Sequence, residues 1–162
     1  MDHKGFTFIE IIIVLAIVGI LSVLAVPDLS AFTGRLRLET AVRSISTDLR
    51  EMKMRSILER SNYSIHFDTA DKLYDLPERR TFLPQGIRFG FGPKVLGPPG
   101  NPVKTPDTDG VTFSSNKATF SSQGTNSIGT IYIANDENIT MAISISITGR
   151  IKIWRWTGEK WI

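Results

Sequence analysis

Apolar and polar positions divide the chain into three unlike stretches. From Phe6 to Val26 the sequence is almost wholly apolar, with Glu10 as its one charge. A helix of that length, at ~1.5 Å per residue, spans roughly 30 Å, the hydrocarbon thickness of a bilayer. A soluble core helix would show a polar face, and this stretch has none. From Leu38 the pattern changes. Leu38, Val42, Ile45, Leu49, Met52 and Ser56 recur at helical spacing and make one stripe. Arg35, Arg37, Arg43, Arg50, Lys53, Arg55 and Arg60 lie mostly off it, interleaved with Glu39, Asp48, Glu51 and Glu59. This predicts a helix with a buried inner face and a solvated outer one. Pro27 lies between the two regimes and predicts a kink.

Beyond Ser61-Asn62 the period becomes two. Tyr63 to Phe67, Leu73 to Leu76, Thr81 to Leu83 and Ile87 to Phe89 read as short strands. Residues 90–110 are dense in Gly and Pro and read as a long surface loop. Val111 to Phe113 and Ala118 to Phe120 flank Ser115-Asn116, which predicts a hairpin. Thr130 to Ile133, Met141 to Ile147 and Ile151 to Trp154 follow as strands. The expected fold class is α+β: a long N-terminal helix whose first half spans a membrane and whose second half packs on a C-terminal antiparallel β domain.

Composition changes this picture little. In 162 residues, 41% are hydrophobic and 22% charged, which suits a globular domain with an anchor. The net charge of +3 alone implies no partner. The absence of cysteine excludes disulfides and thiolate chemistry. No catalytic constellation is legible, so an enzyme is not expected. His66 is alone in the β domain, and no serine sits in a nucleophile elbow. Asp107-Thr108-Asp109-Gly110 opens like a calcium loop, but Lys117 and Ala118 stand where its closing acid would fall. A turn capped by Asp is expected there, with no metal and no cofactor.

Glu10 carries the informative chemistry. A carboxylate in an apolar span costs roughly 2.5–3.5 kcal/mol, so it calls for a partner. No Lys or Arg lies between Phe6 and Pro27. A cut after Gly5 would create an α-amine on Phe6, one helical turn away. The competing reading is a secretory signal peptide with Lys4 as its basic region and cleavage after Ala25. That reading leaves Glu10 unexplained.

Lys4-Gly5-Phe6-Thr7-Phe8-Ile9-Glu10 and the apolar run after it resemble the type IV prepilin signal. The resemblance implies cleavage between Gly5 and Phe6 by prepilin peptidase, N-methylation of Phe6, and assembly with other pilins through Glu10. Gly129-Thr130-Ile131 and Ile145-Ser146-Ile147-Thr148-Gly149-Arg150-Ile151 resemble the minor pilins of the GspH and FimT group. The organisation this implies is a leader at 1–5, a membrane and filament-core helix at 6–27, its amphipathic continuation at 28–60, and a periplasmic β domain at 61–162. Its partners would be prepilin peptidase, major and minor pilins or pseudopilins, and membrane lipid. It would lie in the inner membrane as a single-pass protein, then in the filament.

The tail offers an alternative partner. By alternation Arg150, Lys152, Trp154 and Trp156 share a face, Arg155 points the other way, and Lys160 follows. Cations among indoles suit a phosphate backbone and base stacking. FimT-type pilins imply DNA binding by Arg150, Lys152, Trp154, Arg155 and Lys160. The plainer reading is an edge strand guarded by charge, with its indoles packed on the body.

Overall fold

The computed structural model describes residues 7–97, 108–123 and 126–162, without the side chains of 23–31. The chain divides into two compact units, Met1–Thr33 and Gly34–Ile162. One helix, α1 (Phe8–Leu58), contributes to both.

In the first unit the helix carries its apolar residues on every side. Phe8, Ile9, Leu15 and Ile20 are all exposed, as are the residues between them. Among the described residues no helix is long and apolar enough to cross a membrane. The described side chains of the apolar run stop at Ser22, while its sequence continues to Val26. Gly5 and Phe6 lie outside the described residues. The helix assignment runs through Pro27, whose side chain is not described, so the expected kink stays an expectation.

In the second unit α1 packs against two antiparallel sheets. The first has the order β3-β2-β1-β5, with β1 (Tyr63–Asp68), β2 (Leu73–Asp75), β3 (Arg80–Phe82) and β5 (Lys117–Phe120). The second has the order β4-β6-β7-β8, with β4 (Ile87–Phe89), β6 (Gly129–Asn135), β7 (Thr140–Ile145) and β8 (Ile151–Arg155). The stripe read from the sequence is the one that packs. Leu38, Val42, Ile45, Leu49, Met52 and Ser56 are each at most 1% exposed. The stripe's apolar members, Leu38 to Met52, share a core with Ile131, Ile133, Met141, Ile143 and Ile145, the alternate positions of β6 and β7. Phe67 joins the sheets. Its ring lies 5.8 Å from that of Phe89, edge to face, and 6.3 Å from that of Phe113, stacked.

Two expectations change. Val111 to Phe113 forms no hairpin with β5. Val111 bridges Ile131, and the Thr112 N–H donates to Thr130 O at 3.0 Å, so this segment belongs beside β6. Ser115 and Asn116 both have positive φ, 54° and 52°, and their short 3₁₀ turn sends the chain into the other sheet as β5. Asp109 holds this turn, accepting from Val111 N–H at 3.2 Å and Asn116 Nδ2 at 2.7 Å. Gly110 (φ 80°) lies so near the Gly90 backbone that a Cβ would stand 2.3 Å from its nitrogen.

The second correction is Asp48, which is 4% exposed and not on a solvated face. Its carboxylate accepts from the Tyr74 hydroxyl at 2.6 Å and from the Arg79 guanidinium. A buried carboxylate needs such donors. Burial, and then the hydrogen bond to Asp48, push the Tyr74 hydroxyl up to about 12. At the end of α1, Arg55 pairs with Glu59 at 3.1 Å and with Glu78 at 2.6 Å. Tyr63 also donates to Glu59, and these two contacts hold the Glu59 carboxyl below its usual range.

Candidate functional site: the helix start and the C-terminal edge strand

Two places hold the residues singled out above. The first is the start of α1. The Thr7 N–H donates to Glu10 Oε2 at 3.4 Å, and the Glu10 N–H donates to Thr7 Oγ1 at 3.3 Å. This reciprocal pair is a capping box, which satisfies backbone donors that the first turn leaves free. Glu10 therefore has a local role that the apolar pattern did not suggest. The Thr-x-x-Glu spacing is the signal that would have revealed it. Gly5 and Phe6, which the processing reading needs, are outside the described residues.

The second place is β8, an edge of its sheet. The turn before it closes through Gly149, whose N–H donates to Ser146 O at 2.8 Å. Gly149 has φ 69°, and its carbonyl accepts from Lys53 Nζ at 3.0 Å. A Cβ here would lie 2.8 Å from Lys53 Cε, so position 149 takes glycine for both backbone and space.

Alternation along β8 sorts the candidate residues. Lys152 and Trp154 share the outer face. The Lys152 ammonium stands 5.1 Å from the Trp154 ring centroid, a cation–π pair, and the Trp154 Nε1 donates to Ser144 Oγ at 2.8 Å. Arg150 is exposed at the start of this face, with its N–H held by Ser146 Oγ at 3.1 Å. Arg155 turns to the helix side and pairs with Glu39 at 2.9 Å. No sequence signal could have found that partner, 116 residues away. Lys160 is exposed in the terminal turn, where its carbonyl accepts from Thr157 at 3.0 Å.

The other indoles are packed. Trp161 lies 5.9 Å from the buried Tyr132 ring and 5.2 Å from Trp156, and its Nε1 donates to Gly97 O at 2.9 Å. The structure thus brings Arg150, Lys152 and Trp154 to one face and leaves Arg155 out of it. His66 is exposed on β1. Among the described residues no three potential ligands gather where they could hold a metal.

Comparison with known proteins bears on the N-terminus and on the fold. Residues 1–26 match the model of the prokaryotic N-terminal methylation motif. Two fimbrial proteins of Pseudomonas aeruginosa are 37% identical to the chain over 74 residues, which is 46% of the chain and 47% of theirs. The match thus spans about half their length. The fold resembles that of the minor pseudopilin EpsH from the type 2 secretion system of Vibrio cholerae. The TM-score is 0.51 at 14% identity, over 74% of this chain and 97% of that one. The type IV minor pilin FimU of Pseudomonas aeruginosa gives a TM-score of 0.46 at 19% identity, over 81% and 96%. The chain thus combines a match to the N-terminal methylation motif with a fold similar to that of the pseudopilin EpsH.

Proposed function

We propose that the chain is a minor pilin or type II secretion pseudopilin, a structural subunit that primes or caps a filament at the inner membrane. The observation that carries this reading is a pairing within α1. The methylation motif covers residues 1–26, and within it the side chains from Phe8 to Leu21 are exposed and, Glu10 apart, almost wholly apolar. Such a surface is stable only in lipid or among like helices, where each backbone group is already satisfied within the helix. The β domain lies in the periplasm and chooses partners. Prepilin peptidase cuts after Gly5, Phe6 is methylated, and a bend at Pro27 lets the helix leave the bilayer. Glu10 answers the Phe6 amine of a neighbouring subunit and sets register. The subunit transforms no substrate.

Cleavage tests the reading. The peptidase must take the backbone around the scissile bond into its site, where a branched side chain at Gly5 obstructs it. Gly5→Val is expected to leave the full-length chain uncut in the membrane. Normal processing of that variant on a gel overturns the reading.

A second function, DNA binding in an uptake pilus, is favoured by one observation. The exposed Lys152 and the half-buried Trp154 form a cation–indole pair beside the exposed Arg150. Phosphate contacts and base stacking would both find groups there.

A further inference from the structure

The wall of α1 that faces β8 carries a second stripe, distinct from the buried one. Arg43, Thr47, Arg50, Met54 and Ile57 recur at intervals of three and four, and all are exposed. They line an open groove whose opposite wall is the free edge of β8. Its widest part, about 720 Å³, lies among Arg43, Thr47, Arg50, Ile153 and Ile162. It continues past Arg50 to Met54, Ile57 and Ile151.

The backbone of β8 is half used along this groove. Trp156 N–H donates inward to Thr140 O at 3.0 Å, and Arg150 O accepts inward from Ser146 at 3.1 Å. Even-numbered residues of the strand therefore bond to β7, and odd-numbered ones turn their N–H and C=O outward. Arg155 already has an outer partner. Its N–H donates to Ile162 O at 2.9 Å, and its carbonyl accepts from Ile162 N–H at 3.0 Å. Ile162 thus pairs with β8 on its outer side, and the same phase leaves Ile153 and Ile151 with their outer backbone groups facing the groove.

Charge in the groove is one-sided. Glu39 is engaged by Arg155. Arg43 and Arg50 have no carboxylate partner among the described residues. A residue that pairs with Ile153 or Ile151 points its side chain the way theirs point, towards α1 and its arginines.

We propose that this groove binds an extended segment of another protein as an added antiparallel strand on β8, with carboxylates at the alternate positions that face Arg43 and Arg50. Strand addition supplies both a donor and an acceptor to Ile153 and Ile151. A nucleic-acid phosphate would accept the two N–H groups but would stand against the two carbonyls, so an acidic peptide fits this edge better than DNA does. The apolar floor of Val42, Met141 and Ile153 adds area that a strand covers and a phosphate does not. Trp154 borders the groove but Lys152 and Arg150 do not line it, and the proposal holds whether or not the chain enters a filament.

The test uses the full chain in detergent micelles and capped peptides of alternating Glu and Val, or alternating Lys and Val. The Glu peptide is expected to bind and to slow amide exchange at Ile151 and Ile153. N-methylation of its Glu residues should abolish binding, because those N–H groups donate to β8. Arg43→Glu with Arg50→Glu should weaken the Glu peptide by about tenfold or more and turn the preference to the Lys peptide. Both arginines are exposed, so circular dichroism should not change; Arg50→Gln alone should give a smaller loss of the same sign. Failure of the Glu peptide to bind overturns the proposal, as does binding without slowed exchange at Ile151 and Ile153. Equal affinity for both peptides, or displacement of the peptide by duplex DNA, does the same.

Discussion

The hydroxyl of Tyr74 on β2 donates to Asp48 on α1 across 2.6 Å, inside the core. This bond ties the helix to the first sheet, and both groups are nearly inaccessible. Tyr74→Phe removes one of the two donors on a buried carboxylate and should destabilise the fold by about 1–3 kcal/mol. Urea unfolding of the variant and the parent measures it.

Burial of Tyr74, together with this bond, sets an alkaline limit. The folded-state pKa of Tyr74 is raised to about 12 from an ordinary value of 10.0. The neutral hydroxyl is favoured by folding, so the stabilisation is complete below pH 10 and is lost as pH rises towards 12. The loss amounts to roughly 3 kcal/mol. Tyr74→Phe should flatten this part of the stability–pH curve. An unchanged curve would show that the hydroxyl titrates as it does in the unfolded chain.

Glu10 has two roles to separate, the local cap with Thr7 and the proposed pairing between subunits. Glutamine can serve in a capping box but carries no charge. Glu10→Gln should keep the helix start, with processing and insertion unaffected, yet fail to enter filaments. Recovery of the variant in sheared filaments at the parent level would reduce Glu10 to its cap.

For the outer face of β8, DNA binding would be dominated by phosphates, with a steep salt dependence and little sequence preference. Arg150→Ala with Lys152→Ala should flatten the slope by about two units. Arg155→Ala should leave it nearly unchanged, because that guanidinium is paired with Glu39 on the other side. Titration of the full chain in micelles with labelled duplex at two salt concentrations decides. No binding at low salt, or equal binding by the double variant, makes this face a charged edge and nothing more.

What the sequence made legible was whatever rests on local period. The buried stripe of α1, most strands and the opposite senses of Lys152 and Arg155 all follow from spacing. What it hid depended on the third dimension. Asp48 reads as solvated because only the fold brings Tyr74 and Arg79 to it. Val111 to Phe113 and Ala118 to Phe120 look like a hairpin because nothing local says that consecutive positive-φ residues will send the chain into another sheet. At the site, Glu39 could not be chosen for Arg155 from sequence, while Thr7 could have been chosen for Glu10.

The turn at Ser115 and Asn116 has a consequence for how this domain can be taken apart. Because β4 joins the second sheet before β5 completes the first, the strands interleave along the chain. No single cut leaves both sheets whole: a break before β4 strands β5 on the wrong fragment, and a break after β5 does the same to β4. The sheets cannot be exchanged between proteins as cassettes, nor can either be completed early as the chain emerges. β5 must find β1 across a long intervening segment, a closure that slows folding. Two sheets of equal strand number are, in assembly and inheritance, one object.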